Sequence, residues 1–252
     1  MSSPASQALP LYMQITELLT REIAAGHWQS GERLPTEADL ARRLGVAVGT
    51  LRKALAELQS RGMLRRRQGS GNYVQLPISG GSVYEFFRLE KLDGAGLPSA
   101  DVLALDLVAP PPLWHTAVGA GADTEAAASL PSACWRVRRL RRLDRQPVAL
   151  EEIWFDARHR AELGVGDLHE SLYYFYRQQF GFWISRVEDH VGLGQVPDWA
   201  PIGAPVDGQF GLPSGAVTVL IERRSWSQTE RLEEVSRTWL DPAQARYAAR
   251  WR

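Results

Sequence analysis

The stretch that decides the fold is GVAVGTLRKALAELQSRGMLRRRQGSGNYV, from Gly45 to Val74. From about Val48 to Ser60, Leu51, Leu55 and Leu58 recur at helical spacing, which predicts a helix with one apolar stripe. Thr50, Arg52, Lys53 and Glu57 then lie on its outside. Gly62 breaks the pattern, and RGMLRRRQGSGNYVQL reads as two short strands joined by a glycine-rich turn. Between Arg42 and Asn72 eight basic residues (Arg42, Arg43, Arg52, Lys53, Arg61, Arg65, Arg66 and Arg67) stand against one acidic residue, Glu57.

Toward the N-terminus, LPLYMQITELLTREIAAGHW puts Leu11, Ile15, Leu18, Leu19 and Ile23 on one helical stripe, which Gly26 ends. Thr36, followed three residues later by Asp39, marks the start of a short second helix carrying Leu40 and Leu44, and Gly45 stops it. Helix, short helix, turn, helix and hairpin is the order of a winged helix-turn-helix. A helix of this width fits the major groove of double-stranded DNA with its N-terminal residues at base edges, while arginines neutralise phosphates. The alternative is a solvated basic face beside an ordinary hairpin turn. Helix order, charge bias and hairpin together favour DNA. A nucleotide-phosphate loop at GSG is a much weaker reading, because that segment neither follows a buried strand nor opens a helix.

The whole chain hides this bias. Its 252 residues carry 29 Lys/Arg and 29 Asp/Glu, yet residues 1–76 hold ten basic against six acidic, a net of +4 that the remainder balances. Cys134 is the one cysteine, so no disulfide forms within the chain. The five histidines show no metal-ligand spacing with it, and no metal or cofactor is expected. MSSPASQALP has no basic start followed by an apolar core, and no apolar run approaches the roughly 20 residues a spanning helix needs. These features predict a cytoplasmic protein with no membrane partner.

The segment PLYMQITELLTREIAAGHWQSGERLPTEADLARRLGVAVGTLRKALAELQSRGMLRRRQGSGNYV resembles the DNA-binding domain of the GntR family of bacterial transcription regulators. The matching elements are G-x-x-x-x-G-E-R-L-P-T-E from Gly26, L-A-x-x-L-G-V from Leu40, T-L-R-K-A-L-x-x-L from Thr50, and G-S-G-N-Y-V. The resemblance implies that Thr36, Thr50, Arg52, Lys53, Arg65, Arg66, Gln68 and Gly69 meet DNA. Ala38 stands where the family often has Arg, and Ala47-Val48 where it often has Ser-Arg, so the usual operator sequence is not implied.

Leu76–Ser82, LPISGGS, reads as an inter-domain linker, and eight of the nine tryptophans lie beyond it. The expected division is a head at 1–76, a linker at 77–82 and a second domain at 83–252. Strand patterns recur at SADVLALDLV, CWRVRRLRRL, PVALEEIWF, WISRVEDHVGL and AVTVLIERRSW, and GDLHESLYYFYRQQFG reads as a helix. Strands without regular βαβ alternation predict an α+β domain around an antiparallel sheet. Alternation in RVRRLRRLD puts Arg139 and Arg141 on one face and Leu140 with Arg142 on the other. Paired guanidiniums suit a carboxylate or phosphate; the alternative is that they pair with the sheet's own Glu151 or Glu222. Leu172, Phe175, Tyr176 and Gln179 follow helical spacing and are expected in the core.

The order of V-x-R-L-R (Val137–Arg141), D-R-Q-P-V-A-L-E (Asp144–Glu151), D-L-H-E-S-L-Y (Asp167–Tyr173) and E-V-S (Glu234–Ser236) resembles the UTRA ligand-sensing domain of HutC-type GntR regulators, whose fold is similar to that of chorismate lyase. The resemblance implies an effector pocket lined by Arg139, Arg141, Glu151, Ser171, Tyr173 and Glu234, the positions that hold amino-sugar phosphates in relatives. YEFFRLEKLDGAGLPSA lacks the family's Ser-Phe-led segment, and SRTWLDPAQARY replaces its Arg-Asp-containing ending. The effector is thus expected among small anions: a sugar phosphate, a carboxylate or an amino-acid derivative. The whole implies a non-enzymatic regulator, a repressor that binds a palindromic operator as a homodimer and answers to that effector. The alternative is a lyase-like enzyme of the same C-terminal fold. No Ser/His/Asp, Cys/His or metal constellation supports it, and an enzyme has no use for a basic winged head.

Overall fold

Apolar periodicity and left-handed glycines shape the first third of the protein. In the computed structural model, which describes residues 8–24, 27–75, 86–118, 130–201 and 209–250, α1 is Leu11–Ala24, α2 Glu37–Leu44 and α3 Val48–Ser60. Thr36 caps α2, its hydroxyl accepting from the Asp39 amide at 3.2 Å. Gly45 ends α2 with φ of 66°, and its N–H turns back to the carbonyls of Ala41 and Arg42. β1 (Leu64–Arg67) and β2 (Gly71–Val74) pair antiparallel as the wing. Ile15, Leu19, Ile23, Leu34, Leu40, Leu51, Leu55, Leu58 and Val74 close one core. Leu11 departs from the expected stripe: at the first position of α1 it is 45% exposed. The expected linker at 77–82 and the helix end at Gly26 lie outside the described residues.

Beyond the head come β3 (Leu89–Lys91), β4 (Pro98–Val108), α4 (Pro112–Val118), β5 (Cys134–Leu143), β6 (Gln146–Asp156), α5 (Leu172–Gln179), β7 (Ile184–Gln195), β8 (Val217–Ser227), β9 (Leu232–Leu240) and β10 (Ala245–Tyr247). Six of these strands form one antiparallel sheet in the order β4-β5-β6-β9-β8-β7, and β10 pairs with β3. The result is the expected α+β architecture. Asp144 and Arg145, with φ of 48° and 71°, form the two-residue turn joining β5 to β6.

One face of the sheet packs against α5 through Val137, Ile153, Phe155, Leu172, Phe175 and Tyr176. The other face buries Leu140, Leu150 and Trp239 under Val196, Ala200 and Phe210, and buries Trp154 and Val235 under Leu113 and Trp114.

Three expectations change here. The helix expected across GDLHESLYYFYRQQFG is confined to α5, because a short 3-10 turn at Val165–Asp167 precedes it and Ser171 caps it, accepting from the Tyr174 amide at 3.3 Å. Gln179 is exposed rather than in the core, as are Arg177 and Gln178 beside it in the last turn of α5. LEEVSRTWL, absent from the expected strands, is β9, an inner strand. Its two leading glutamates mask the β pattern. Among the described residues no helix is long and apolar enough to cross a membrane.

Candidate functional site

The head gathers a basic surface on α3 and the wing. Arg52, Lys53, Arg65, Arg66, Arg67, Gln68 and Gly69 are exposed and Thr50 is half-buried. Arg52 is held by Glu37, with Nε 2.6 Å from Oε2. Thr36, also exposed, spends its hydroxyl on the α2 cap, with Oγ1 2.6 Å from Asp39 Oδ2. Gln59 Nε2 donates to Asn72 Oδ1 at 2.9 Å and thereby ties α3 to the wing. Arg61 bridges the buried Glu17 of α1 at 2.6 Å and Glu57 at 2.9 Å.

Gly69 turns the wing tip at φ of 71°. At Gly71 a Cβ would stand 3.1 Å from Arg33 Nε, so the guanidinium of Arg33 lies against the wing backbone. Arg33, inside the G-E-R-L-P motif, was not singled out from the sequence.

In the sensor, strand register builds the floor of a cavity. Across β5, β6, β9 and β8 one row runs Arg139, Glu151, Thr238, Ile221, and a second runs Ile153, Ser236, Arg223 from β6 to β8. The N-terminal turn of α5 brings Ser171 and Tyr173 over this floor. All six residues singled out from the sequence, Arg139, Arg141, Glu151, Ser171, Tyr173 and Glu234, line this one cavity of about 90 Å³. That is well beyond the roughly 10–15 Å³ one water occupies.

Two guanidiniums share one carboxylate there. Arg139 donates to Glu151 Oε2 from Nε at 3.0 Å and Nη2 at 2.7 Å, and Arg141 donates to Oε1 from Nε at 3.1 Å and to Oε2 from Nη2 at 2.9 Å. Burial alone would raise the pKa of Glu151, but the two guanidiniums hold it down at about 2. The two sequence alternatives thus coincide: the arginines line the cavity and also pair with Glu151. Glu222 instead accepts from Arg237 at 2.9 Å.

Burial raises the pKa of Glu234, which accepts from Tyr176 Oη at 2.7 Å and Ser225 Oγ at 3.3 Å. Tyr173 Oη meets Ser225 Oγ at 2.9 Å. Arg223, Tyr247, Ser236, Thr238 and Phe87 also line the cavity, and the sequence reading missed them. Arg223 grips Asp189 with two bonds of 2.6 Å, and Tyr247 Oη donates to Asp189 at 2.6 Å. Alternation within IERRSW puts Arg223 on the face of Ile221 and Ser225, a signal the sequence does contain. No group of His, Cys, Asp or Glu that could hold a metal occurs among the described residues.

A basic winged helix-turn-helix followed by a sheet domain with a charged cavity defines a DNA-binding regulator with a ligand-sensing domain. The comparisons agree. Residues 11–74 match the family described as bacterial regulatory proteins, gntR family, and residues 114–246 match the UTRA domain, so the chain belongs to the GntR family with the HutC-type pairing of head and sensor. It is 45% identical over 97% of its length, and 97% of the relative's, to the HTH-type transcriptional regulator SmoD of Agrobacterium fabrum. It is 28% identical, over 72% of this chain and 73% of the relative, to the mannosyl-D-glycerate transport/metabolism system repressor MngR of Escherichia coli. The sheet domain shares its fold with the ligand-binding domain of a GntR-family regulator from Bordetella bronchiseptica, at a TM-score of 0.52 and 19% identity over 67% of this chain and 99% of that one. The protein is a transcription regulator, and these relatives are regulators rather than enzymes.

Proposed function

We propose that this regulator is a repressor, that it binds a palindromic operator as a homodimer, and that a small hydroxylated anion in the sensor cavity releases it. The head is taken as residues 1–76 and the sensor as 83–252, joined at 77–82. DNA contacts are assigned to Thr50, Arg52, Lys53, Arg65, Arg66, Gln68 and Gly69, with Arg33 added from its place against the wing and Thr36 holding α2 through its cap.

The observation that carries the ligand reading is the cluster of Arg139 and Arg141 around the single carboxylate of Glu151. Two buried guanidiniums beside one carboxylate make this part of the cavity electropositive, which favours an entering anion. The N-terminal turn of α5 adds the positive end of a helix dipole beside it. Burial raises the pKa of Glu234 on the same floor. Ser171, Tyr173, Ser236, Thr238 and Tyr247 supply hydroxyls around the same space. A phosphate or carboxylate on a hydroxylated carbon skeleton fits this set. The name of MngR couples that relative to mannosyl-D-glycerate, a sugar joined to an acid.

The test is selection of bound fragments from the source genome, followed by a salt series on the recovered site. A palindrome is expected, with affinity falling about a thousandfold or more between 50 and 200 mM salt. Arg52→Ala should abolish the preference for that palindrome. No enriched fragment, or binding indifferent to Arg52→Ala, would refute the operator reading.

A further inference from the structure

The two cavity arginines are each one residue away from the DNA-binding head. Arg141 lies over the Phe87 ring with its guanidinium carbon 5.4 Å from the centroid, and Arg21 of α1 lies over the same ring at 5.1 Å. Phe87 and Leu89 both line the cavity, and Arg21 also donates to the Leu89 carbonyl at 3.4 Å and to the Gly96 carbonyl. A second thread runs beside it. Arg139 Nη1 donates to the Glu170 carbonyl at 3.1 Å, and the Glu170 side chain accepts from the backbone N–H of Leu9, just ahead of α1. Leu9 is 2% exposed, so this end of the head is seated on the sensor.

We infer that Phe87 is the coupling residue of this regulator: its ring, shared by Arg21 of the head and Arg141 of the cavity, seats α1 on the sensor, and an anion that draws Arg141 toward itself loosens that seat. A guanidinium over an aromatic face is attracted by the ring quadrupole, and the attraction depends on its position within about 6 Å of the centroid. Turning Arg141 toward a ligand changes the partner that Phe87 offers Arg21, without any contact between ligand and head. Domains joined by a short linker move relative to one another by default unless a contact of this kind holds them. The Glu170 thread acts in the same sense, because Arg139 and Leu9 hold opposite ends of one residue. Arg21, Phe87 and Glu170 are positioning residues; none is assigned to DNA.

This inference rests on the proposed ligand cavity for its purpose, yet it is testable with no ligand. Ser60→Cys on the exposed end of α3 and Ala161→Cys on the sensor surface carry spin labels, while buried Cys134 stays unmodified. Labelled full-length chain is diluted with unlabelled chain so that pulsed dipolar spectroscopy reads distances within one chain. The unaltered pairing gives one narrow distribution. Arg21→Gln and Arg141→Gln, made separately, should each broaden it roughly twofold or more, whereas Arg141→Lys, which keeps a cation over the ring, should leave it narrow.

The Arg141→Gln result is the discriminating one, because a cavity residue with a purely local role would leave the head where it was. If either glutamine variant loses its near-ultraviolet dichroism, Phe87→Leu takes its place with the same expectation. A distribution unchanged in Arg141→Gln, or in Phe87→Leu where it substitutes, overturns the coupling. Anion binding by the cavity is measured separately, so failure of one reading leaves the other standing.

Discussion

Replacing Glu151 by Gln keeps the size of the side chain and removes the charge that two buried guanidiniums share. Glu151 is 7% exposed, and Arg139 and Arg141 are each 4% exposed. Its pKa is held at about 2 against the ordinary 4.5. At about 1.4 kcal/mol per pKa unit, that depression corresponds to about 3 kcal/mol. Breaking one side of a buried ion pair typically costs about 3–5 kcal/mol, so two independent routes agree on the scale. Glu151→Gln should therefore lower the melting temperature of the sensor by about 6–12 °C at pH 7.

The sign with pH follows from the depressed value. The stabilisation is fully present above the unfolded pKa of 4.5 and is lost as pH falls through the folded pKa of about 2. The gap between the two proteins should thus be constant at neutral pH and close between pH 4.5 and about 2. Phosphate should narrow the gap at pH 7, because an anion supplies the charge the substitution removed. Scanning calorimetry at several pH values, with and without phosphate, reads all three. Equal melting at pH 7, or a gap that persists unchanged below pH 2, would refute the electrostatic account of the cavity.

Four further outcomes are expected. Tyr176→Phe deletes the 2.7 Å donor to buried Glu234 and should cost about 1–3 kcal/mol in urea unfolding. Cys134 is buried and its thiol is pushed up to about 12, so the folded chain should resist a thiol reagent at pH 8 and react once unfolded. Gly45→Ala meets open space but must hold φ of 66°, so thermal unfolding of the head should show a loss of about 1–2 kcal/mol from backbone strain alone. Arg66→Ala should weaken DNA binding evenly across sequences and reduce the salt slope by about 1, read by fluorescence anisotropy over a salt series.

The head was legible because its signals are local. Leucines at helical spacing, Thr36 three residues before Asp39, Gly45 and the wing glycines each act within a turn or two of chain, and, Leu11 apart, the structure uses each where the pattern put it. The sensor strands that alternate with β-branched and apolar residues were legible for the same reason. β9 was not: the adjacent Glu233 and Glu234 interrupt the apolar alternation of a strand, and only the sheet order, with β9 between β6 and β8, explains their burial. Gln179 failed in the opposite sense: helical spacing put it with Leu172, Phe175 and Tyr176, but it is Phe180 that packs on Phe155 of β6.

The six cavity residues come from β5, β6, α5 and β9, so no local pattern unites them, and the family resemblance did so instead. Phe87 and the contact between α1 and the sensor lay beyond reach of the sequence, and Arg223, although alternation put it on the right face, had no partner to mark it until the sheet order was known. They depend on register across three strand pairs and on how two units meet, which no spacing encodes. Pairing within the sheet and lining a cavity were opposed readings of Arg139 and Arg141. Low dielectric reconciles them, because buried guanidiniums need a carboxylate when no ligand is bound.

The most direct test of the account is operator affinity of the full-length chain with and without the anion that most raises the melting temperature of the sensor in a screen of sugar phosphates and carboxylates. The account predicts that this anion weakens operator binding by about 5–150-fold, and that Arg139→Gln shrinks that response. Operator affinity unchanged by a ligand that demonstrably occupies the cavity would contradict it.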